Sequence, residues 1–379
     1  MKMKRLTIIL LLMAGCVLTL SAQTDKAERI KEIRQSYAQA QKDMAENGKD
    51  GNPALDMCVR LHLVNEVDDD FTIEDDTDIS YFFKKEVKYD KADEMYYQES
   101  VSYFIIEKWS ANGHSRYREM LYDVHTGQLI FAFTKSETHT GFATESRFYF
   151  DNDGRLIEQK LKVNGKDTAP DDLSGSTADE VKEVSDRYLS IFRELMASTT
   201  DYGAPDGPVT GQQKDERMKT IRADYAKAKQ LMDDNAKNNG NSLSIVIHDQ
   251  EEGDSPPTTT ELNYSFNEWD DGRAPMYRCY FITFHHHNNM MGFDSYKEFL
   301  LNDELQRMAD NGKPEKTINP MFAYTCIHEE NEKWEYRYYF DDNGRCIETK
   351  STDDETDGGK DDKETTRRFM FVFNTIMEK

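Results

Sequence analysis

The sequence predicts an α+β fold built from two tandem copies of one unit. Each unit is an antiparallel β-meander flanked by an N-terminal and a C-terminal helix packed on one face of the sheet. Three observations predict it. First, "RFYFDNDGRLIEQK" (147–160) returns as "RYYFDDNGRCIETK" (337–350), identical at 9 of 14 positions. Second, "ERIKEIRQSYAQAQKDMAEN" (28–47) returns as "ERMKTIRADYAKAKQLMDDN" (216–235), identical at 10 of 20. Third, "YREMLYD" (117–123) and "FAFTK" (131–135) reappear in the same order as "YKEFLLN" (296–302) and "FAYTC" (322–326). Chance similarity does not keep four blocks in order, so the pattern reads as a duplication.

The chain opens with basic "MKMKR", apolar "LTIILLLMAGCVLTL" and small-residue "SAQ". Residues 1–22 therefore read as a signal peptide, with an apolar run too short for a comfortable bilayer span. Cys16 after "MAG" offers an alternative, a lipid anchor, but apolar "VLTL" follows where an anchored chain turns polar. The leader is similar to those of exported proteins of Gram-negative bacteria, which implies a periplasmic or secreted location. The remaining chain divides into a first repeat domain (24–199), a linker (200–212, "TDYGAPDGPVTGQ") and a second repeat domain (213–379).

Each unit starts with a helix. Ile30, Ile33, Tyr37, Ala40 and Met44 follow three-and-four spacing, as do Met218, Ile221, Tyr225, Ala228 and Met232. "NG" at 47–48 and "NNG" at 238–240 stop the two helices. Strand-like runs rich in Val, Ile, Tyr, Phe and Thr follow near 55–64, 80–89, 98–109, 115–124, 128–136, 144–151 and 154–163. "HTGQ" (125–128) and "DNDG" (151–154) are hairpin signals. The closing helices are expected at 178–198 and 363–379, while acidic 65–78 and the segment 303–320 read as surface loops. In outline this helix-plus-meander pattern is similar to small exported PepSY-like and β-lactamase-inhibitor-like modules, which are shorter. The resemblance implies an architecture and no activity.

Composition narrows the function. The chain has 379 residues, 37% of them hydrophobic, and a net charge of −24. Removal of the leader, with its Lys2, Lys4 and Arg5, takes the charge to −27. Such a surface repels phosphate backbones and anionic headgroups, so nucleic-acid and membrane-surface roles are poor fits. The mature chain keeps Cys58, Cys279, Cys326 and Cys346, with no CxxC and no repeated spacing. There is no GxSxG, HExxH, GxGxxG or GxxxxGK[ST], hence no catalytic or cofactor signature.

Three candidate sites remain. "FHHHNNMM" (284–291) puts His285 and His287 on one face of a strand, where they could share a transition metal. The acidic segment 65–78 could hold a divalent cation through carboxylates. The repeated strand sets Arg147 and Tyr149, or Arg337 and Tyr339, on the face opposite the core, an Arg-Tyr pair suited to a protein partner or to stacking on a sugar. Cross-strand pairing with Glu158 or Glu348 is the structural alternative for these arginines. The acidic turn inside the repeat fails as a calcium loop, because Lys160 and Lys350 stand where the bidentate Glu is needed. The leading expectation is an exported, non-enzymatic binding protein that uses the sheet surfaces of two domains to hold a protein or another extracellular ligand. Alternatives are a carbohydrate-binding module, which requires Tyr149 and Tyr339 exposed, a secreted hydrolase, which requires a cleft of convergent polar groups, and an envelope-assembly protein.

Overall fold

The computed structural model describes residues 26–49, 52–68, 71–90, 95–169, 175–196, 212–238, 240–250, 258–270, 275–288, 292–301, 320–329, 332–341, 345–352 and 360–377. Among the described residues the fold is α+β, with one antiparallel sheet and four helices. Helix α1 (26–46) precedes strands β1 (Leu55–Asp68), β2 (Phe71–Asp90), β3 (Met95–Ala111), β4 (His114–Tyr122), β5 (Leu129–Glu137), β6 (Ala143–Phe150), β7 (Leu156–Val163) and β8 (Lys166–Thr168), then α2 (Ala178–Met196). The order recurs as α3 (Gln212–Lys237), β9 (Ser242–Asp249), β10 (Thr258–Asp270), β11 (Pro275–Asn288), β12 (Phe293–Leu301), β13 (Pro320–Glu329), β14 (Glu332–Phe340), β15 (Cys346–Ser351) and α4 (Lys360–Met377). The expected leader and linker lie outside the described residues, except Gln212, which begins α3.

Within each half the strands pair in sequence order, as a meander does. The expected hairpins form: Gly127 and Gly154 sit at φ +67° and +72°, conformations that side chains resist. Asp151 closes the second turn by accepting bonds from the Asp153 and Arg155 amides. A further hairpin at Asn164-Gly165 adds β8, which was not expected from the sequence.

The two meanders are not separate sheets. β1 pairs antiparallel with β9 from Leu55 opposite Asp249 to His62 opposite Ser242, with Cys58 facing Val246 near the middle. All fifteen strands therefore form one sheet. Leu55, Met57, Val59 and Leu61 of β1 and Leu243, Ile245 and Ile247 of β9 point to one face and are buried there. A single core runs through both halves on that face, joining these strands to Val184, Tyr188 and Phe192 of α2 and to Phe369, Val372 and Phe373 of α4. α2 and α4 also touch: Arg368 Nη2 donates to the Glu194 carbonyl at 2.6 Å, satisfying an acceptor at the end of α2.

The expectation that both helices of a unit cover one face is corrected. α2 packs on Ile105, Met120, Ala132, Phe148 and Phe150. α1 packs on their immediate neighbours Phe104, Leu121, Phe131 and Tyr149. Adjacent strand residues point to opposite faces, so α1 and α2 sandwich the sheet. α3 and α4 do the same, α3 resting on Phe281, Leu300, Phe322 and Tyr339. The physical reason is that the middle strands carry apolar residues at both parities, and both faces must leave water.

The acidic segment is also corrected. Its described residues, 65–68 and 71–78, form no loop but the ends of the paired strands β1 and β2. Among its described side chains, Asp75 accepts a bond from Trp109 Nε1 at 2.8 Å, Asp76 lies 2.7 Å from His62 Nδ1, and Asp78 pairs with Arg60 at 3.7 Å. The other expected loop, 303–320, lies outside the described residues except for Pro320, which begins β13. The four described cysteines are free thiols.

Candidate functional site: twin cavities under the first helix of each half

The spacing of Ile30, Ile33, Tyr37, Ala40 and Met44 lays one stripe of α1 on the outer sheet face. One edge of that stripe borders a cavity of about 250 Å³ lined by Ile33, Arg34, Tyr37, Glu119, Phe131, Phe133, Arg147 and Tyr149. Under α3 lies a second cavity of about 280 Å³, lined by Ile221, Arg222, Tyr225, Phe322, Tyr324, Arg337 and Tyr339. These seven residues occupy the places of Ile33, Arg34, Tyr37, Phe131, Phe133, Arg147 and Tyr149. Among these seven places only Phe133, which becomes Tyr324, differs, while Glu119 has no counterpart in the second lining.

Aromatic rings hold the arginines. The Arg34 guanidinium lies 5.7 Å from the centre of the Tyr149 ring, and Arg222 lies 5.6 Å from Tyr339. From the neighbouring strand, Arg147 sits 5.1 Å over Phe133 and Arg337 sits 5.2 Å over Tyr324. Each strand arginine has one carboxylate two residues away on its own strand, Glu145 at 3.8 Å and Glu335 at 3.0 Å.

A buried carboxylate stands behind each cavity. Glu119 accepts hydroxyl bonds from Tyr37 and, at 2.6 Å, from Tyr117. Glu298 accepts from Tyr225, from Tyr296 at 2.6 Å and from Lys229 Nζ at 2.7 Å. Gln41 takes the place of Lys229 in the first half and donates to the Tyr37 hydroxyl at 2.8 Å. Burial first, and then the adjacent carboxylate, push the Tyr37 and Tyr225 hydroxyls well above the usual tyrosine range. Both therefore stay protonated and act as donors.

Arg147 and Arg337 line these cavities, and the structural alternative, pairing with Glu158 or Glu348, is corrected. Glu158 pairs with Lys26 and Lys160, at 3.7 and 3.5 Å, and Glu348 pairs with Lys214. Tyr149 and Tyr339 are corrected too: each is only 4% exposed, because α1 and α3 cover them, so neither offers a face for a sugar. Sequence reasoning missed Arg34, Tyr37 and Glu119 with their counterparts Arg222, Tyr225 and Glu298. The signal was present, since all three pairs fall inside the repeated blocks as identities.

His285 and His287 do share a face, and both approach Asp294, at 2.5 and 3.4 Å. The two imidazoles and this carboxylate form a row on β11 and β12. Among the described residues no group of three or more His, Cys, Asp or Glu side chains is arranged to hold a metal ion. In register, Lys108, Ser110 and Ser115 occupy the corresponding places of the first half. The chain matches no protein-family model. No curated protein matches it at a significant level.

Proposed function

We propose that this chain is an exported, non-enzymatic binding protein with two equivalent ligand cavities, one in each copy of a duplicated unit. The observation that carries this reading is the recurrence of the same residues around a cavity at the same place in both halves. Packing alone does not require polar side chains such as Arg34 and Arg222 to be repeated at a helix surface. The reading centres on these seams rather than on open sheet surface, because α1 and α3 cover the outer face over the repeated arginine-bearing strands. Export rests on the leader-like residues 1–22; among the described residues no helix is long and apolar enough to cross a membrane. A hydrolase that used Tyr37 as its nucleophile is disfavoured, since burial and Glu119 make that proton harder to remove.

A ligand-observed NMR screen of small compounds against the full chain tests the reading. Hits should bind with two sites per chain and weaken when the cavities are filled by Phe133→Trp together with Tyr324→Trp. A screen without hits, or hits indifferent to that double variant, would overturn it.

A further inference from the structure

We infer that the ligand of these cavities presents a carboxylate on a small apolar body, and that the second cavity holds it more tightly than the first. The inference rests on the proposed reading of the cavities as binding sites. It starts from a charge imbalance: the chain has 72 acidic and 48 basic residues, so an arginine meets a carboxylate easily. Arg34 and Arg222 nevertheless pair with no carboxylate among the described residues. Each instead lies over a buried tyrosine ring at the cavity wall, where its N–H donors are available to a ligand. The second arginine of each cavity is likewise laid on a ring, with a single carboxylate on its flank.

Two guanidiniums line each cavity, and arginine, whose fork suits a planar two-oxygen carboxylate, rather than lysine stands at all four positions. Beside the arginines each wall is largely aromatic and aliphatic, with Ile33 and Phe131 in one cavity and Ile221 and Phe322 in the other, and Glu119 is the one acidic lining residue. Volumes of about 250 and 280 Å³ fall below the range of roughly 300–1,000 Å³ for drug-sized ligands, so the body is small.

The two cavities differ in one charge. Glu119 borders the first cavity and, among the described residues, is bonded only by tyrosine hydroxyls, so no cation offsets its carboxylate there. Glu298 is neutralised by Lys229 and does not border the second cavity. One unit charge at about 8 Å in a half-solvated site changes anion affinity by about fivefold.

Isothermal titration and guanidinium NMR with benzoate, benzyl alcohol and benzylamine as size-matched probes test the inference on the full chain. Benzoate should bind at two sites differing about fivefold, weaken with added salt, and exceed benzyl alcohol at least tenfold. Arg222→Gln with Arg337→Gln should remove the tighter site, and Arg34→Gln with Arg147→Gln the weaker. Arg34→Lys should fall between wild type and Arg34→Gln. Lys229→Gln, which imports the residue used by the first half, should bring the tighter site down to the weaker. Benzyl alcohol binding as well as benzoate would overturn the anion assignment and leave the cavities standing as sites. Binding of no probe would sink both readings, and an unchanged site in Lys229→Gln would overturn the ranking.

Discussion

Arg118→Met should destabilise the protein by about 3–5 kcal/mol, the cost of leaving a buried carboxylate with half its partners. Glu107 is fully buried on the face covered by α2. Its carboxylate receives Arg116 Nε and Nη2 at 3.0 and 2.7 Å and Arg118 Nη1 at 3.1 Å. Arg118 also reaches Glu180 of α2, so the change cuts the tie between sheet and helix. The second half solves the same position differently: Phe284 faces Lys297 where Glu107 faces Arg118, and Phe284 stacks on Phe369 at 5.5 Å. Lys297 then pairs with Asp362 of α4 at 2.7 Å. The double change Glu107→Phe with Arg118→Lys should therefore recover most of the loss, to within about 1–2 kcal/mol of wild type. Urea denaturation followed by circular dichroism measures both. A cost below about 1 kcal/mol for Arg118→Met, or a double variant as unstable as the single, would refute the reasoning. The pH dependence gives a further check. Burial pushes the Glu107 carboxyl up, but the Arg118 and Arg116 guanidiniums outweigh it and hold the group below the usual carboxylate range. Its contribution is thus complete above the unfolded value of about 4.3 and is lost as pH falls through the depressed folded value. The cost of Arg118→Met should be largest near pH 7 and shrink below about pH 4.3, where protonation removes the stranded charge.

Phe192→Ala should cost about 3–5 kcal/mol in the same denaturation assay, because the ring is buried between Tyr81 and Phe83, at 5.9 and 5.6 Å between centroids. Gly154→Ala meets no atom within 4 Å but sits at φ +72°, so its cost should be backbone strain alone, about 1–2 kcal/mol. Val246→Pro removes a ladder donor from a strand paired on both sides, with Cys58 and Glu261. It should cost about 3 kcal/mol or more and speed amide exchange in β1 and β9.

Much of the local structure was legible in particular residues. The helix stripes starting at Ile30 and Met218, the glycine hairpins at 127 and 154, and the strand order of each meander all follow from short-range periodicity and turn chemistry. The paired helices of a unit were misplaced because a stripe shows that a helix is buried and not which sheet face it meets. The neighbours Phe104-Ile105, Met120-Leu121 and Phe148-Tyr149 held that information, since each puts an apolar residue on either face. Arg147 and Arg337 were found because they sit in the longest repeated strand, whereas Arg34 and Arg222 passed as ordinary exposed residues of an amphipathic helix.

By itself, then, the sequence determined the elements, their turns, the acidic surface and the twofold repetition of the blocks, because these depend on residues close in the chain. Only the tertiary structure decided that β1 joins β9 into one sheet, that the two helices of a unit lie on opposite faces, and that Arg34 and Arg147 line one cavity, over the Tyr149 and Phe133 rings. Those outcomes depend on which surfaces find each other, and the pairing of Leu55 with Asp249 and of His62 with Ser242, 194 and 180 residues apart, is written in no local pattern.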